Sequence, residues 1–259
     1  MYDAIILAGG TCGWLKKMAG TDYRATAELA GRPLIAYIVE ALTASGVIGD
    51  ITIAGDLVNL SAIDLPAEVR LVAAAGSMLQ TAEAAVKASG AEKPVLFVTD
   101  DIPLLTPDAV RDFLMQTEGR TADVFYPIVS RDACESKFPG SRRTYVKLKE
   151  GVFTGGNILL VRPEVVASCQ SAAEEVFARR KRPLELCGWL GWRFILRFLL
   201  RRLAIRDVEQ RASSLLGFQG SVVRSCFPEI GIDVDKETDW RFMSEYLRAP
   251  QSRSVDKLQ

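Results

Sequence analysis

Histidine is absent from all 259 residues of the sequence. That removes Ser-His-Asp triads, Cys-His pairs and every histidine-bearing metal site, leaving carboxylates, basic side chains and backbone amides to carry any chemistry. Net charge is missing too. Thirty-two acidic residues balance thirty-two basic ones, so no global field draws the chain to nucleic acid. The five cysteines (Cys12, Cys134, Cys169, Cys187, Cys226) are odd in number and lack C-x-x-C spacing. They read as reduced thiols rather than a disulfide frame or a zinc site. The chain enters a strand almost from Met1, so no signal peptide and a cytoplasmic location are expected. Internal repeats, low-complexity tracts and breaks in composition are lacking as well, so residues 1–248 are expected to form one domain, with a polar, frayed tail over 249–259.

What is present begins at Asp3. Ala4 to Ala8 is a continuous apolar run, as a central strand buried on both faces requires, and it ends in Gly9-Gly10 with Gly13 close behind. A buried strand, a glycine turn and then basic residues (Lys16, Lys17, Arg24) form a cradle for an anionic ligand. The spacing matches neither the G-x-G-x-x-G of dinucleotide folds nor the G-K-[ST] of P-loops. Downstream, strands and helices alternate. Strands are expected at Ile51–Ala54, Val69–Ala73, Pro94–Thr99, Asp123–Tyr126, Thr144–Leu148 and Ile158–Val161, and helices from Pro33 to Ser45 and from Met78 to Ser89. That alternation predicts an α/β protein, a three-layer α/β/α sandwich around a mostly parallel sheet.

The strand ending at Thr99 runs into Asp100-Asp101-Ile102-Pro103-Leu104. Ligands in open α/β sheets bind beyond the carboxyl ends of strands, where Asp101 is placed to hold a hard cation such as Mg²⁺. Helix capping does not account for these carboxylates, because Thr106-Pro107 already starts the next helix. Near the C-terminus, Ile232 and Val234 alternate with Asp233 and Asp235, which predicts a short strand carrying both aspartates on one face. Thr154-Gly155-Gly156-Asn157 before a strand suggests close approach of a ligand to the backbone. Arg142, Arg143, Lys147 and Lys149 either meet phosphate or form a solvated edge.

The stretch from Pro183 to Ile205 changes character. Arg193, Arg197 and Arg201 fall at i, i+4 and i+8 among Trp189, Trp192, Phe194 and Phe198, so a helix over 186–203 is expected within a helical insertion at about 183–216. It is too charged to span a bilayer. Burial of its apolar face within the protein or at a homodimer interface is the expectation, with membrane contact the less favoured alternative.

Four motifs in order resemble the MobA-like NTP transferases, nucleotidyltransferases of GT-A-like fold: Leu7-Ala8-Gly9-Gly10, Gly31-Arg32-Pro33-Leu34, Asp101-Ile102-Pro103-Leu104 and Asp235-Lys236-Glu237-Thr238-Asp239-Trp240. Gly155-Gly156-Asn157 looks like the G-x-N element of the same enzymes. The resemblance implies transfer of an NMP from an NTP to a phosphorylated acceptor with release of pyrophosphate. It implies nucleotide contacts from Leu7, Ala8, Gly9, Gly10, Thr11, Gly13, Gly76, Ser77 and Asp100. Arg24, Lys17 and Asp101 would be catalytic, Gly156 and Asn157 would meet the acceptor, and Mg²⁺ would sit on Asp101, Asp235 and Asp233. One departure stands out. Arg24 occupies the position where most members have lysine, and a planar fork does not reproduce the phosphate geometry of an ammonium. A GT-A glycosyltransferase, or a nucleotide-binding protein with reduced turnover, are the alternatives.

Overall fold

The computed structural model describes residues 1–168 and 191–249. Cys169, Cys187, Trp189, the start of the expected insertion at 183 and the tail from 250 onward lie outside the described residues. In chain order the elements are β1 (Tyr2–Ala8), α1 (Leu15–Ala19), β2 (Glu28–Leu29), β3 (Arg32–Pro33), α2 (Leu34–Ala44), β4 (Ile48–Gly55), α3 (Leu57–Leu60) and β5 (Arg70–Ala73). They continue with α4 (Met78–Ser89), β6 (Val95–Thr99), α5 (Pro107–Met115), β7 (Val124–Ser130), α6 (Arg131–Lys137), β8 (Val146–Leu148), β9 (Gly151–Gly155) and β10 (Ile158–Val161). The last are α7 (Pro163–Ser168), α8 (Trp192–Leu199), α9 (Ile205–Leu216), β11 (Gly220–Ser225) and α10 (Glu237–Arg248).

A nine-stranded sheet has the order β5-β4-β1-β6-β10-β7-β9-β8, with β11 paired to β7. All of its strands run one way except β9 and β10. The mostly parallel sheet expected from the sequence is therefore present, with β1 at its centre between β4 and β6. Central parallel strands are buried on both faces, which is why Ala4–Ala8 is apolar without alternation. On one face Ala4, Ile6 and Ala8 pack with Ile35, Ile38 and Leu42 of α2 and Val110 and Phe113 of α5. On the other, Ile5 and Leu7 meet Ala82 and Ala85 of α4 and Val165 and Val166 of α7.

Local chemistry sets the helix ends. Ser77 caps α4 by accepting from the Gln80 N–H, while the Gln80 side chain returns to the Ser77 N–H. Thr106 accepts from the Ala109 N–H ahead of Pro107 and so starts α5. Such a cap contributes about 1 kcal/mol.

β9 and β10 lie in line along β7, and the break between them at Gly156-Asn157 turns Asn157 toward the end of β6. The Asn157 carbonyl accepts from the Thr99 N–H at 3.1 Å, and its own N–H donates to the Ile230 carbonyl at 2.7 Å.

Two expectations need correction. Residues 232–235 form no strand; they run as an irregular segment in which the Val234 N–H donates to the Asp101 carbonyl at 2.9 Å and the Asp235 N–H to Asp239 Oδ2 at 3.2 Å, with no ladder to a neighbouring strand. The alternation survives nonetheless, since Ile232 and Val234 are buried with Leu104, Phe138, Trp240 and Met243. The second correction concerns α8. It spans Trp192–Leu199, and its apolar face is not buried: Trp192 is 69% exposed and Leu199 70%. Arg201 has a positive φ and lies beyond the helix end, so the three arginines form no continuous helical stripe. Arg197 pairs with Asp207 of α9 at 2.5 Å, and Arg193 lies over the Trp192 ring.

Candidate active site

β1 delivers its glycine loop, and β6 its two aspartates, at the same edge of the sheet, because Leu7 and Thr99 are register partners. The loop after β1 is tied down from behind. Tyr23 donates its hydroxyl to the Ala8 carbonyl and accepts from the Asp56 N–H at 3.0 Å. The Cys12 N–H donates to the Asp22 carbonyl at 2.7 Å and the Arg24 N–H to the Gly10 carbonyl at 2.9 Å. With the backbone held this way, Gly9 and Gly13 face open space, whereas a Cβ at Gly10 would lie 2.8 Å from the Arg24 guanidinium carbon. Glycine at position 10 lets the arginine pass beneath the loop.

Arg24 is the hub of the charges. Its Nε reaches Asp100 Oδ1 at 2.9 Å, its Nη1 reaches Asp101 Oδ2 at 2.9 Å, and Nη1 stands 3.9 Å from Asp235 Oδ1. Burial, only partly offset by the facing Arg24 guanidinium, pushes the Asp100 carboxyl up to about 7. Burial also works against the Arg24 charge, but Asp100 and Asp101 more than offset it and hold the guanidinium above its usual range. Asp100, 1% exposed, thus anchors the arginine and is shut off from solvent.

The other oxygen of Asp101, Oδ1, accepts from the Thr99 hydroxyl and from Asn157 Nδ2 at 3.1 Å. Asn157 also donates to Asp233 Oδ2 at 3.4 Å, and Asp233 Oδ1 pairs with Arg143. One oxygen from each of Asp101, Asp233 and Asp235 lies within 4.8 Å of the others. Three carboxylates this close repel one another unless cations intervene, and Arg24 and Arg143 supply part of that charge. Oxygen donors alone, converging from a rigid turn and an extended segment, suit a hard divalent cation.

The remaining expected residues are more scattered. Thr11 bridges to Tyr23 at the loop's base. Lys16 and Lys17 are exposed on α1, and among the described residues neither forms an ion pair. Gly76 and Ser77 form the cap of α4, Gly76 with φ +54. Gly156 is crowded, since a Cβ there would lie 2.9 Å from Pro127 and 3.1 Å from the Ile230 carbonyl. Of the basic segment, Arg142, Lys147 and Lys149 are exposed, while Arg143 turns in. Arg143 and Thr99 were not singled out for this cluster by sequence reasoning. Thr99 carried a usable signal, being one residue before the acidic pair and of the same strand parity as Phe97. Arg143 carried none beyond its charge.

A family model for the MobA-like NTP transferase domain matches residues 4–188, and the chain belongs to that family. A hypothetical transferase from Thermus thermophilus is 36% identical, with a TM-score of 0.82 over 93% of this chain and 100% of that one. A CMP:2-keto-3-deoxy-manno-octonic acid synthetase complexed with CTP shares the fold at 12% identity and TM-score 0.60, covering 95% of this chain and 98% of that one. A 2-C-methyl-D-erythritol 4-phosphate cytidylyltransferase, also from Thermus thermophilus, does so at 13% identity and TM-score 0.53, covering 95% and 98%. No curated protein matches the sequence. The fold is thus that of the GT-A-like nucleotidyltransferases, and among the described residues no helix is long and apolar enough to cross a membrane.

Proposed function

We propose that this protein transfers an NMP from an NTP to the phosphate of a small acceptor, releasing pyrophosphate. The observation that carries the reading is the convergence of Asp101, Asp233 and Asp235 just beyond an open glycine loop. These three carboxylates would hold Mg²⁺, which when bound would neutralise phosphate charge during the displacement. An acceptor phosphate oxygen attacks the α-phosphorus, the bond from that phosphorus to the bridging oxygen breaks, and pyrophosphate departs with the electron pair. The acceptor is a phosphate monoester, largely dianionic at neutral pH because its second pKa is about 6, so no general base is needed. That accords with a chain free of histidine.

The protein's own part is positioning. Gly9, Gly10, Thr11 and Gly13 offer amides to the triphosphate, and Lys17 approaches it from α1. Arg24 holds Asp101 by one oxygen while Asn157 and Thr99 hold the other, which fixes the carboxylate plane. Asn157, linking Asp101 and Asp233, is placed to meet the acceptor beside Gly156. One observation favours a second reading, a nucleotide-binding protein with reduced turnover: Arg24 is already committed to two aspartates, where a phosphate-binding cation needs free donors.

Pyrophosphate release, measured across a panel of NTPs and phosphorylated acceptors with Mg²⁺, tests both. Turnover that disappears in Asp101→Ala supports transfer, and NTP binding with no pyrophosphate under any pairing supports the second reading. Arg24→Lys separates them further. It should retain or raise turnover if the arginine does the family lysine's work, while Arg24→Ala weakens NTP binding.

A further inference from the structure

The sheet face that carries the site continues into a groove with almost no polar lining. Paired residues on neighbouring strands point to the same face, so register defines rows across the sheet. Leu7, Thr99 and Asn157 form one row, and this row meets Asp101. The next row on the same face is Ile5, Phe97 and Leu159, about 7 Å further down the strands. Phe97 and Leu159 line a cavity of about 400 Å³ that is also lined by Leu7, from the row of the site, and by Met78, Val161 and Val222. One wall is the face of α9 made by Val208, Ala212 and Leu216, at i, i+4 and i+8, and the other comes from α4 and α7. Protein interiors leave few voids of this size, and a dry apolar one with an open mouth has the character of a ligand pocket.

We infer that the acceptor is an amphiphile, a phosphate monoester on an alkyl or prenyl chain, whose phosphate meets Asn157 in the row beside Asp101 and whose chain lies in this groove. The inference rests on the nucleotidyltransferase reading and names its acceptor class. A sugar phosphate would leave the groove unfilled and set its hydroxyls against carbon. The source is assigned from α8, which precedes the groove-wall helix α9. Trp192, Phe198 and Leu199 are exposed there beside Arg193 and Arg197, the composition of a helix that rests on an anionic lipid surface. The acceptor is therefore a lipid phosphate presented by a membrane.

The test starts with binding, which needs no turnover. Wild-type protein is titrated calorimetrically with hexyl, octyl and decyl phosphate, each below its aggregation concentration, without NTP. Affinity is expected to rise about fourfold per added methylene. Ala212→Phe, which narrows the groove, is expected to stop the rise at a shorter chain. A flat series in the wild type overturns the inference whether or not the variant folds. Pyrophosphate release is then compared for glycerol 3-phosphate, decyl phosphate and phosphatidic acid in phosphatidylcholine vesicles. The expected order is vesicles, then decyl phosphate, then glycerol 3-phosphate, with the vesicle rate reduced by salt. Glycerol 3-phosphate performing as well as decyl phosphate overturns the acceptor class, and decyl phosphate without vesicle turnover overturns the membrane source. No pyrophosphate from any acceptor overturns the transferase reading, while the chain-length series still decides the groove.

Discussion

Two glycine-rich turns flank the acidic cluster, and they are glycine for different reasons. After β1, Gly9 and Gly13 have nothing within 4 Å of where a Cβ would stand. Where β9 ends and the chain turns into β10, a Cβ at Gly155 would collide with the Tyr126 hydroxyl and one at Gly156 with Pro127 and the Ile230 carbonyl. The first turn is bare on its open side and tied from behind by Tyr23 and Arg24. The second is packed on its crowded side so that Asn157 can reach Asp101. Glycine in open space leaves backbone amides accessible to a ligand, whereas glycine in a crowded place lets two segments of protein approach each other.

Substitutions sharpen or break this contrast. The largest effect belongs to Asp101, which stands between the turns. Asp101→Ala is expected to lower pyrophosphate release at least about a hundredfold, as loss of a preorganised charge does, with the fold kept as judged by far-UV circular dichroism. Near-normal turnover at saturating Mg²⁺ would remove Asp101 from the metal site. Asp235→Asn should follow it and exceed Asp233→Asn, because Asp233 is already paired with Arg143.

Next comes Gly156→Ala, which should cost about 1–3 kcal/mol in a denaturant melt, the usual penalty for overpacking. A variant as stable as wild type would show that Pro127 and Ile230 yield easily, and the contrast between the turns would weaken.

Gly10→Ala sits between the extremes, since its methyl meets a movable side chain rather than backbone. Its expected effect is on the ligand. Displacing Arg24 loses about one charge-assisted hydrogen bond, and NTP affinity measured by calorimetry should fall about tenfold. The smallest effect is on stability in Gly9→Ala, within about 0.5 kcal/mol of wild type, as for surface positions free of packing. A large loss there would mean that the loop is constrained by more than its ties to Tyr23 and Arg24.

Much of the architecture was legible because it is local. The apolar run Ala4–Ala8, the Ser77 cap with Gln80, and Thr106 before Pro107 each act over a few residues, and each element stands where it was expected. Asp101 at the end of β6 was legible for the same reason. Chemistry was left open or misread where the outcome depended on distant partners. The basic segment offered four equivalent charges, of which Arg143 alone met an aspartate ninety residues away. The apolar side of α8 was expected to be covered, since amphipathic helices usually are, but no described element packs over Trp192 or Leu199.

By itself the sequence determined the alternation of strands and helices from β1 to α5, the absence of histidine chemistry, and the alternation that buries Ile232 and Val234 while leaving Asp233 and Asp235 out. Periodicity and capping act through neighbours in the chain, so one sequence is enough to read them. Only the tertiary structure decided that Arg24 spends its guanidinium on Asp100 and Asp101, that three carboxylates converge, and that an apolar groove opens one row below them. Those outcomes depend on strand register and on contacts between segments far apart in the chain. A shift of one residue along β10 would turn Asn157 to the opposite face and take the groove's floor with it.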